Sequence, residues 1–315
     1  MENNSKIDLT TAENSTKTND NSTKISRNSA IENENFAKIS ERSTKTADGF
    51  NSQSLVQMCA TFCKCFGVTP PQFASDPIDE LCDYILGQTT SGKLDKVVIF
   101  NPDAIAEWCY YKYKNLLPNL EKFAPYVQPL CSVFPPKTPV CFATMYSGAT
   151  PAQHGITKYT KPCLTIDTIF DALIRAGKKP CIVTVAEQSM DKLFRNRKMD
   201  YFAMENDQAV VAKAIALIGQ DKYDFICVYN QEYDDIMHRT HPNSFLSKRA
   251  LMHYNASFGA IAQAVATFWK KYDTMLGCAT DHGTHREWYL LGQHGKNIPA
   301  DMNICHFYGV IPAKK

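Results

Sequence analysis

The spacing of hydrophobic and polar residues changes character twice along this chain. Residues 1 to about 50 show no apolar period, and Asn, Ser and Thr dominate them. "NSTK" recurs at 14–17 and 21–24, and "RSTK" follows at 42–45. A segment of this kind cannot bury enough apolar surface to offset its chain entropy, so residues 1–50 are expected to be a disordered, low-complexity tail. In residues 51–91 the rhythm becomes helical. "SLVQMCATFCKCFGV" and "DPIDELCDYILG" repeat apolar residues at helical spacing, with Asp76 before Pro77 as the expected cap of the second helix. From residue 92 short apolar runs alternate with amphipathic stretches. "KVVIF", "PCIVTV", "YDFICVYN", "DTMLGCAT" and "NICHFYGVI" read as strands. "DTIFDALIRAGKK", "NDQAVVAKAIALIGQ" and "SKRALMHYNASFGAIAQAVATFWKKY" read as helices. This alternation predicts an α/β domain over 92–315, with a largely parallel central sheet flanked by helices.

Composition narrows the function. With 315 residues the chain can bury a large core, and a net charge of +2 offers no electrostatic footprint for duplex nucleic acid or an anionic membrane. No apolar run is long enough to span a bilayer, and the first residues carry no apolar leader. The twelve cysteines are mostly scattered singly through apolar segments, as suits a reducing cytoplasm. The one cluster, Cys59, Cys63 and Cys65, lacks metal-ligand spacing and reads as packing on a helix.

Sites in open α/β sheets form beyond the carboxyl ends of the strands. Asp103 follows "VVIF". "DDIMH" follows "FICVYNQEY", and "DHGTH" follows "MLGCAT". "GQHG" places His294 between glycines. Each piece alone is ordinary turn polarity. Together, carboxylates and imidazoles form a mixed oxygen and nitrogen donor set that suits zinc or another divalent ion. In "YDDIMHRTH", helical spacing puts Asp234 and His238 on one face and turns Asp235 away. His241, three residues beyond His238, is not excluded by spacing. In "KTPVCFAT", Thr138 before Pro139 is the expected N-cap of a helix whose dipole would favour an alkoxide or phosphate nearby.

In order, these pieces resemble the alkaline phosphatase superfamily, most closely its nucleotide pyrophosphatase/phosphodiesterase-like branch. The resemblance runs from about Lys96 to Gly309. It rests on a strand-end Asp (Asp103, with Ala104 where Gly is usual) and on a Thr ten residues before Gly148, followed by "PAQHGI". "DDIMH" stands for D-x-x-G-H with Met237 in place of Gly, and "TDHG" and "GQHG" complete the set. The resemblance implies an alkaline phosphatase-like core and a hydrolase of phosphoric esters, with Thr138 as nucleophile and a phospho-threonine intermediate. It implies one metal on Asp234, His238 and His294, and a second on Asp103, Asp281 and His282 with Thr138 as the fourth ligand. The ions are zinc in most relatives of this branch and manganese in mutase-like ones. The substrate would be a small phosphate ester or nucleotide. Lys137 matches the branch, whereas Cys141 stands where a phosphate-holding Asn is usual; both are candidate substrate-binding residues.

Smaller candidates take plainer readings. Lys192, Arg195 and Arg197 are expected on a solvated helix face, and His241 and His285 away from direct ligation. His154 is expected to hold the turn after the nucleophile helix. Trp288 and Tyr289 either stack on a substrate ring or pack within their loop.

Overall fold

The computed structural model describes residues 44–288 and 291–314. As far as residue 43, the expected disordered tail therefore lies outside the described residues. The strands are β1 (Lys96–Pro102), β2 (Tyr126–Cys131), β3 (Pro180–Val185), β4 (Asp200–Met204), β5 (Phe225–Asn230), β6 (Thr274–Ala279), β7 (His285–Arg286), β8 (Gly292–Gln293) and β9 (Asn303–Ile311). Among the described residues, seven form one sheet in the order β2-β9-β6-β1-β5-β3-β4, and β7 and β8 form a small separate hairpin. β1, β3, β4, β5 and β6 run parallel, while β9 runs antiparallel to both β6 and β2. The largely parallel α/β architecture is as the sequence predicts.

Both faces of the sheet are covered, so its inner strands are continuous apolar runs rather than alternating ones. Alternate residues of β1 serve the two faces. Val97 and Ile99 join a core with Met58 and Phe62 of the Met58–Phe66 helix, Ile85 of the Asp79–Leu86 helix, and Phe142 and Tyr146 of the Thr138–Ser147 helix. Phe100 faces the long helix Phe245–Phe268, with ring centroids 6.0 Å from Tyr254 and 6.2 Å from Phe258. The helices of residues 51–91 thus pack directly on the sheet. Cys59, Cys63 and Cys65 are fully buried there as free thiols.

Two expectations change in this region. The second helix begins at Asp79, and Asp76 does not cap it. The cap position is Ile78, whose N–H donates to Thr61 Oγ1 of the neighbouring helix at 3.0 Å, so a tertiary partner replaces a local one. β2 and β4 are not among the strands that the sequence pattern predicts. Both are edge strands: β2 carries Pro129, tolerated where one side of the ladder is open, and β4 is only partly buried.

Phe100 is wholly buried at the centre of this packing. Phe100→Ala is expected to lower stability by about 3–5 kcal/mol. Urea unfolding checks this; a loss under about 1 kcal/mol would mean that this core can collapse around the cavity.

Candidate functional site

β6, β1 and β5 are sheet neighbours, and their carboxyl ends deliver the candidate residues to one place. The Asp103 N–H donates to Asn230 O at 3.0 Å, carrying the β1–β5 ladder one residue further. Asp281 and His282 follow β6. Asp234 and His238 lie four apart on the helix Glu232–Arg239, which begins just after β5. The β7–β8 hairpin returns the chain so that His294 follows β8.

The structure gathers these side chains into two groups, Asp234 with His238 and His294, and Asp103 with Asp281 and His282. Within each group, one potential ligand atom per residue lies within 4.8 Å of the others. Asp234 Oδ1 is 3.4 Å from His238 Nε2 and 3.6 Å from His294 Nε2. His282 Nε2 is 3.3 Å from Asp281 Oδ2 and 3.6 Å from Asp103 Oδ1. The His282 and His294 rings stack with centroids 3.9 Å apart, which joins the groups.

Three observations show that these residues fit divalent cations. Asp103 Oδ1, Asp234 Oδ1 and Asp281 Oδ2 are buried without any hydrogen-bond partner. Buried polar atoms are normally satisfied, and orphaned carboxylate oxygens are costly. Each histidine meets a backbone carbonyl through Nδ1: His238 with Gly292 O at 3.1 Å, His282 with Gly283 O at 3.0 Å, and His294 with Pro136 O at 2.8 Å. Nδ1 must be the donor in each, which leaves the Nε2 lone pair facing the carboxylates, as metal-binding imidazoles require. The donor set of three carboxylates and three imidazoles suits zinc or another divalent ion.

The electrostatics follow from burial and crowding: at His238 burial works downward, but the Asp234 carboxylate outweighs it and raises the imidazole above its usual value. Burial, then the Asp281 and Asp234 charges, holds Asp103 well above the usual carboxylate range. Burial also raises Asp281. Burial works to raise Asp234 too, but the nearby imidazoles of His238, His294 and His282 outweigh it and bring Asp234 below the usual value. Burial and the neighbouring His282 push His294 well down, toward neutral imidazole.

Thr138 sits beside the second group, with Oγ1 3.3 Å from His282 Nε2. It is the first residue of its helix rather than the cap. Lys137 takes the cap position without a side-chain bond, and Pro139 comes one place later than expected. The Thr138 hydroxyl is therefore not used in capping. Lys137 Nζ donates to His294 O at 3.0 Å, tying the start of the Thr138–Ser147 helix to the His294 loop. Gly295 makes that contact possible: its φ is +113°, and a Cβ there would lie 2.6 Å from Lys137 Cε. Cys141 is fully buried, its sulfur 3.2 Å from Ser132 Oγ, which places the thiol in packing.

The departures from the family pattern have local explanations. Ala104 stands where Gly is usual and holds φ at 65°, a left-handed conformation costly for any residue with a Cβ. The reward is a hydrogen bond from Ala104 N to Asp281 Oδ1 at 3.2 Å. Met237, in place of Gly, is buried against Gly292, where any Cβ would lie 2.5 Å from the Met237 sulfur.

The remaining candidates separate clearly. Lys192 is exposed and pairs with Glu187, and Arg195 pairs with Asp191. Arg197 corrects the solvated-face reading: it is almost buried and binds Asp171, Thr168 Oγ1 and the carbonyls of Leu164 and Ile166. His241 belongs to neither group. His285 lies between Asp301 Oδ1 at 2.7 Å and Glu287 Oε1 at 3.0 Å. His154 holds its turn, accepting from Ile156 N at 3.1 Å and reaching Thr144 Oγ1 at 3.0 Å. Trp288 is 87% exposed, and Tyr289 lies outside the described residues. Sequence reasoning missed Tyr229, whose hydroxyl donates to Asp103 Oδ2. Within an apolar strand, nothing marks it as more than core.

Two outcomes follow. Ala104→Gly is expected to stabilise the protein by about 1 kcal/mol in chemical unfolding, by relieving the left-handed strain. Asp103→Asn is expected to raise the stability of chelator-treated protein by about 1–3 kcal/mol, because it removes a buried, orphaned charge. The same variant should gain less than wild type in Tm when zinc is added. Destabilisation of the metal-free protein by Asp103→Asn would contradict the electrostatic account.

A family model described as type I phosphodiesterase / nucleotide pyrophosphatase matches residues 97–164, which include Asp103, Thr138 and His154. No curated protein matches the chain. Among solved structures, the chain is similar to inactive murine ectonucleotide pyrophosphatase/phosphodiesterase 5, a threonine-to-alanine variant in complex with AMP. The identity is 19%, the coverage 61% of this chain and 58% of that one, and the TM-score 0.50. A second structure of the murine protein gives the same figures. Phosphonoacetate hydrolase from Sinorhizobium meliloti, in complex with phosphonoacetate, matches at 15% identity over 63% of this chain and 60% of that one, with a TM-score of 0.47. The chain thus spans less than two thirds of these structures. The fold is α/β of the alkaline phosphatase-like kind, and the chain resembles the nucleotide pyrophosphatase/phosphodiesterase-like branch of that superfamily.

Proposed function

We propose that the chain is a metal-dependent hydrolase of phosphoric esters, of the phosphodiesterase or nucleotide pyrophosphatase type, acting through Thr138. The observation that carries this reading is the placement of the Thr138 hydroxyl. It opens a buried ten-residue helix, performs no capping, and lies 3.3 Å from His282 in a cluster of orphaned carboxylate oxygens. Free N–H groups in the first turn of that helix favour a phosphate there. Two divalent cations, one on Asp234, His238 and His294 and one on Asp103, Asp281 and His282 beside Thr138, would supply Lewis-acid stabilisation of the attacking and departing oxygens.

Thr138 Oγ1 loses its proton to solvent and attacks phosphorus, forming an O–P bond as the bond to the leaving oxygen breaks, and that oxygen takes a proton from solvent. Water then attacks the phospho-threonine, releasing the phosphoryl product and restoring the hydroxyl. Asp103 and Asp281 are held in place by Tyr229 and by the Ala104 N–H, so their free oxygens stay turned toward the site. Zinc suits the donor set, with manganese as the alternative. The inactive murine relative is a threonine-to-alanine variant bound to AMP, which supports a Thr nucleophile and a nucleotide-like substrate here. Twelve free cysteines support a reducing, cytoplasmic location.

One observation favours a second reading, a phosphomonoesterase or phosphomutase on the same core. Cys141, at the position of the usual phosphate-holding Asn, is committed to Ser132. A non-catalytic binding protein is disfavoured by the completeness of both ligand groups.

Zinc- or manganese-loaded protein is expected to hydrolyse bis(p-nitrophenyl) phosphate faster than p-nitrophenyl phosphate. Faster turnover of the monoester selects the second reading. Thr138→Ala is expected to reduce turnover by about 10³-fold or more while metal content stays unchanged. Full activity in that variant removes Thr138 from the mechanism.

A further inference from the structure

The helix Glu232–Arg239 has a second use. Asp234 and His238 face the site just described. The adjoining face, carrying Glu232, Asp235 and Arg239, walls a separate cleft of about 500 Å³. Glu205 and Asp207, just beyond β4, form another wall, and His253 of the long helix closes a third side. Asn230, at the end of β5, also lines it.

Asn230 points to a ligand independently of the acids. It is 1% exposed, and its Oδ1 is buried without a hydrogen-bond partner. Its backbone carbonyl is fully engaged, accepting from Asp103 N at 3.0 Å and Tyr254 Oη at 3.2 Å. The side chain thus adds an acceptor to a cleft lined by four carboxylates, one arginine and His253, whose Nδ1 lies 2.8 Å from Glu232 Oε1. That arginine, Arg239, folds back on its own helix, with Nε donating to Asp235 O at 2.9 Å.

The chemistry excludes an anion. The two helix N-termini that open here are already satisfied by the chain itself. The Asn206 side chain accepts from Ala209 N at 2.9 Å, and the Asp207 carboxylate accepts from Gln231 N and Glu232 N at 3.1 and 2.9 Å. A bare metal ion also fits poorly. Among the described residues, these acids do not converge as a ligand group, whereas the two groups at the active site do. Acceptors spread around a cleft of small-molecule size match a cation with several separated N–H donors.

We propose that this cleft binds a small organic polycation of the aliphatic polyamine class. Its amines would meet Glu205 and Asp235, one of them would take the place of His253 at Glu232, and one N–H would satisfy Asn230 Oδ1.

The test is calorimetric titration of the full-length chain with spermidine at physiological ionic strength. Magnesium chloride and inorganic phosphate are titrated separately. Saturable binding of about one spermidine per chain, tighter than about 1 mM, is expected. The Glu205→Gln/Glu232→Gln variant should bind about tenfold more weakly or worse. Asp79→Asn, a remote charge control, should bind as wild type does. The proposal is overturned by heats that never saturate, by equal affinity in the double variant, or by equal weakening in Asp79→Asn. It is also overturned if magnesium or phosphate occupies the same cleft, shown by loss of spermidine binding in its presence at matched ionic strength.

Discussion

Three carboxylate oxygens buried beside one another, with no protein hydrogen bond to any of them, set the terms for the rest of this structure. A fold that gathers Asp103, Asp234 and Asp281 in this way incurs desolvation and like-charge repulsion together. The sheet imposes that gathering. β1 lies between β6 and β5, so the segments leaving their carboxyl ends emerge side by side. Packing on both faces of the sheet supplies the stability that tolerates it. Divalent charge at the cluster would turn the unfavourable term into a favourable one.

Precision in the site comes from a set of clasps between distant parts of the chain. His294 Nδ1 is held by Pro136 O, and Lys137 Nζ returns the contact to His294 O, so the His294 loop and the start of the Thr138–Ser147 helix fix each other. Further along the same loop, buried Asp301 gathers its two ends. Its carboxylate takes His285 Nδ1 at 2.7 Å and Lys296 N at 2.9 Å, and its carbonyl takes Gly283 N at 2.7 Å. The family pattern is altered at Ala104 and Met237, yet both changes are absorbed locally, one by backbone strain and one by the missing side chain of Gly292.

The inner strands were legible because a strand covered on both faces must be apolar throughout. PCIVTV and NICHFYGVI became β3 and β9 with their bounds unchanged. The edge strands were not, because a proline in β2 and partial exposure in β4 erase that signal. In the site, Asp234 and His238 were legible from helical spacing, and the remaining acids and histidines from their places after strands. The family resemblance, not spacing, separated His238 from His241. Tyr229, the left-handed Ala104 and the Lys137–His294 clasp were invisible, since each depends on contacts between residues far apart in the chain. Arg197 departs from the solvated-face reading for the same reason: a basic run reads as solvated, whereas the carbonyls of Leu164 and Ile166 fold over this side chain.

The central claim is that the two acid–imidazole groups are metal sites. Anomalous scattering at the zinc edge, from crystals of the full chain grown with zinc, tests this most directly. The account predicts two anomalous peaks, one bounded by Asp234, His238 and His294 and the other by Asp103, Asp281 and His282. A map with no peak at either group, or with zinc bound only elsewhere, would contradict it.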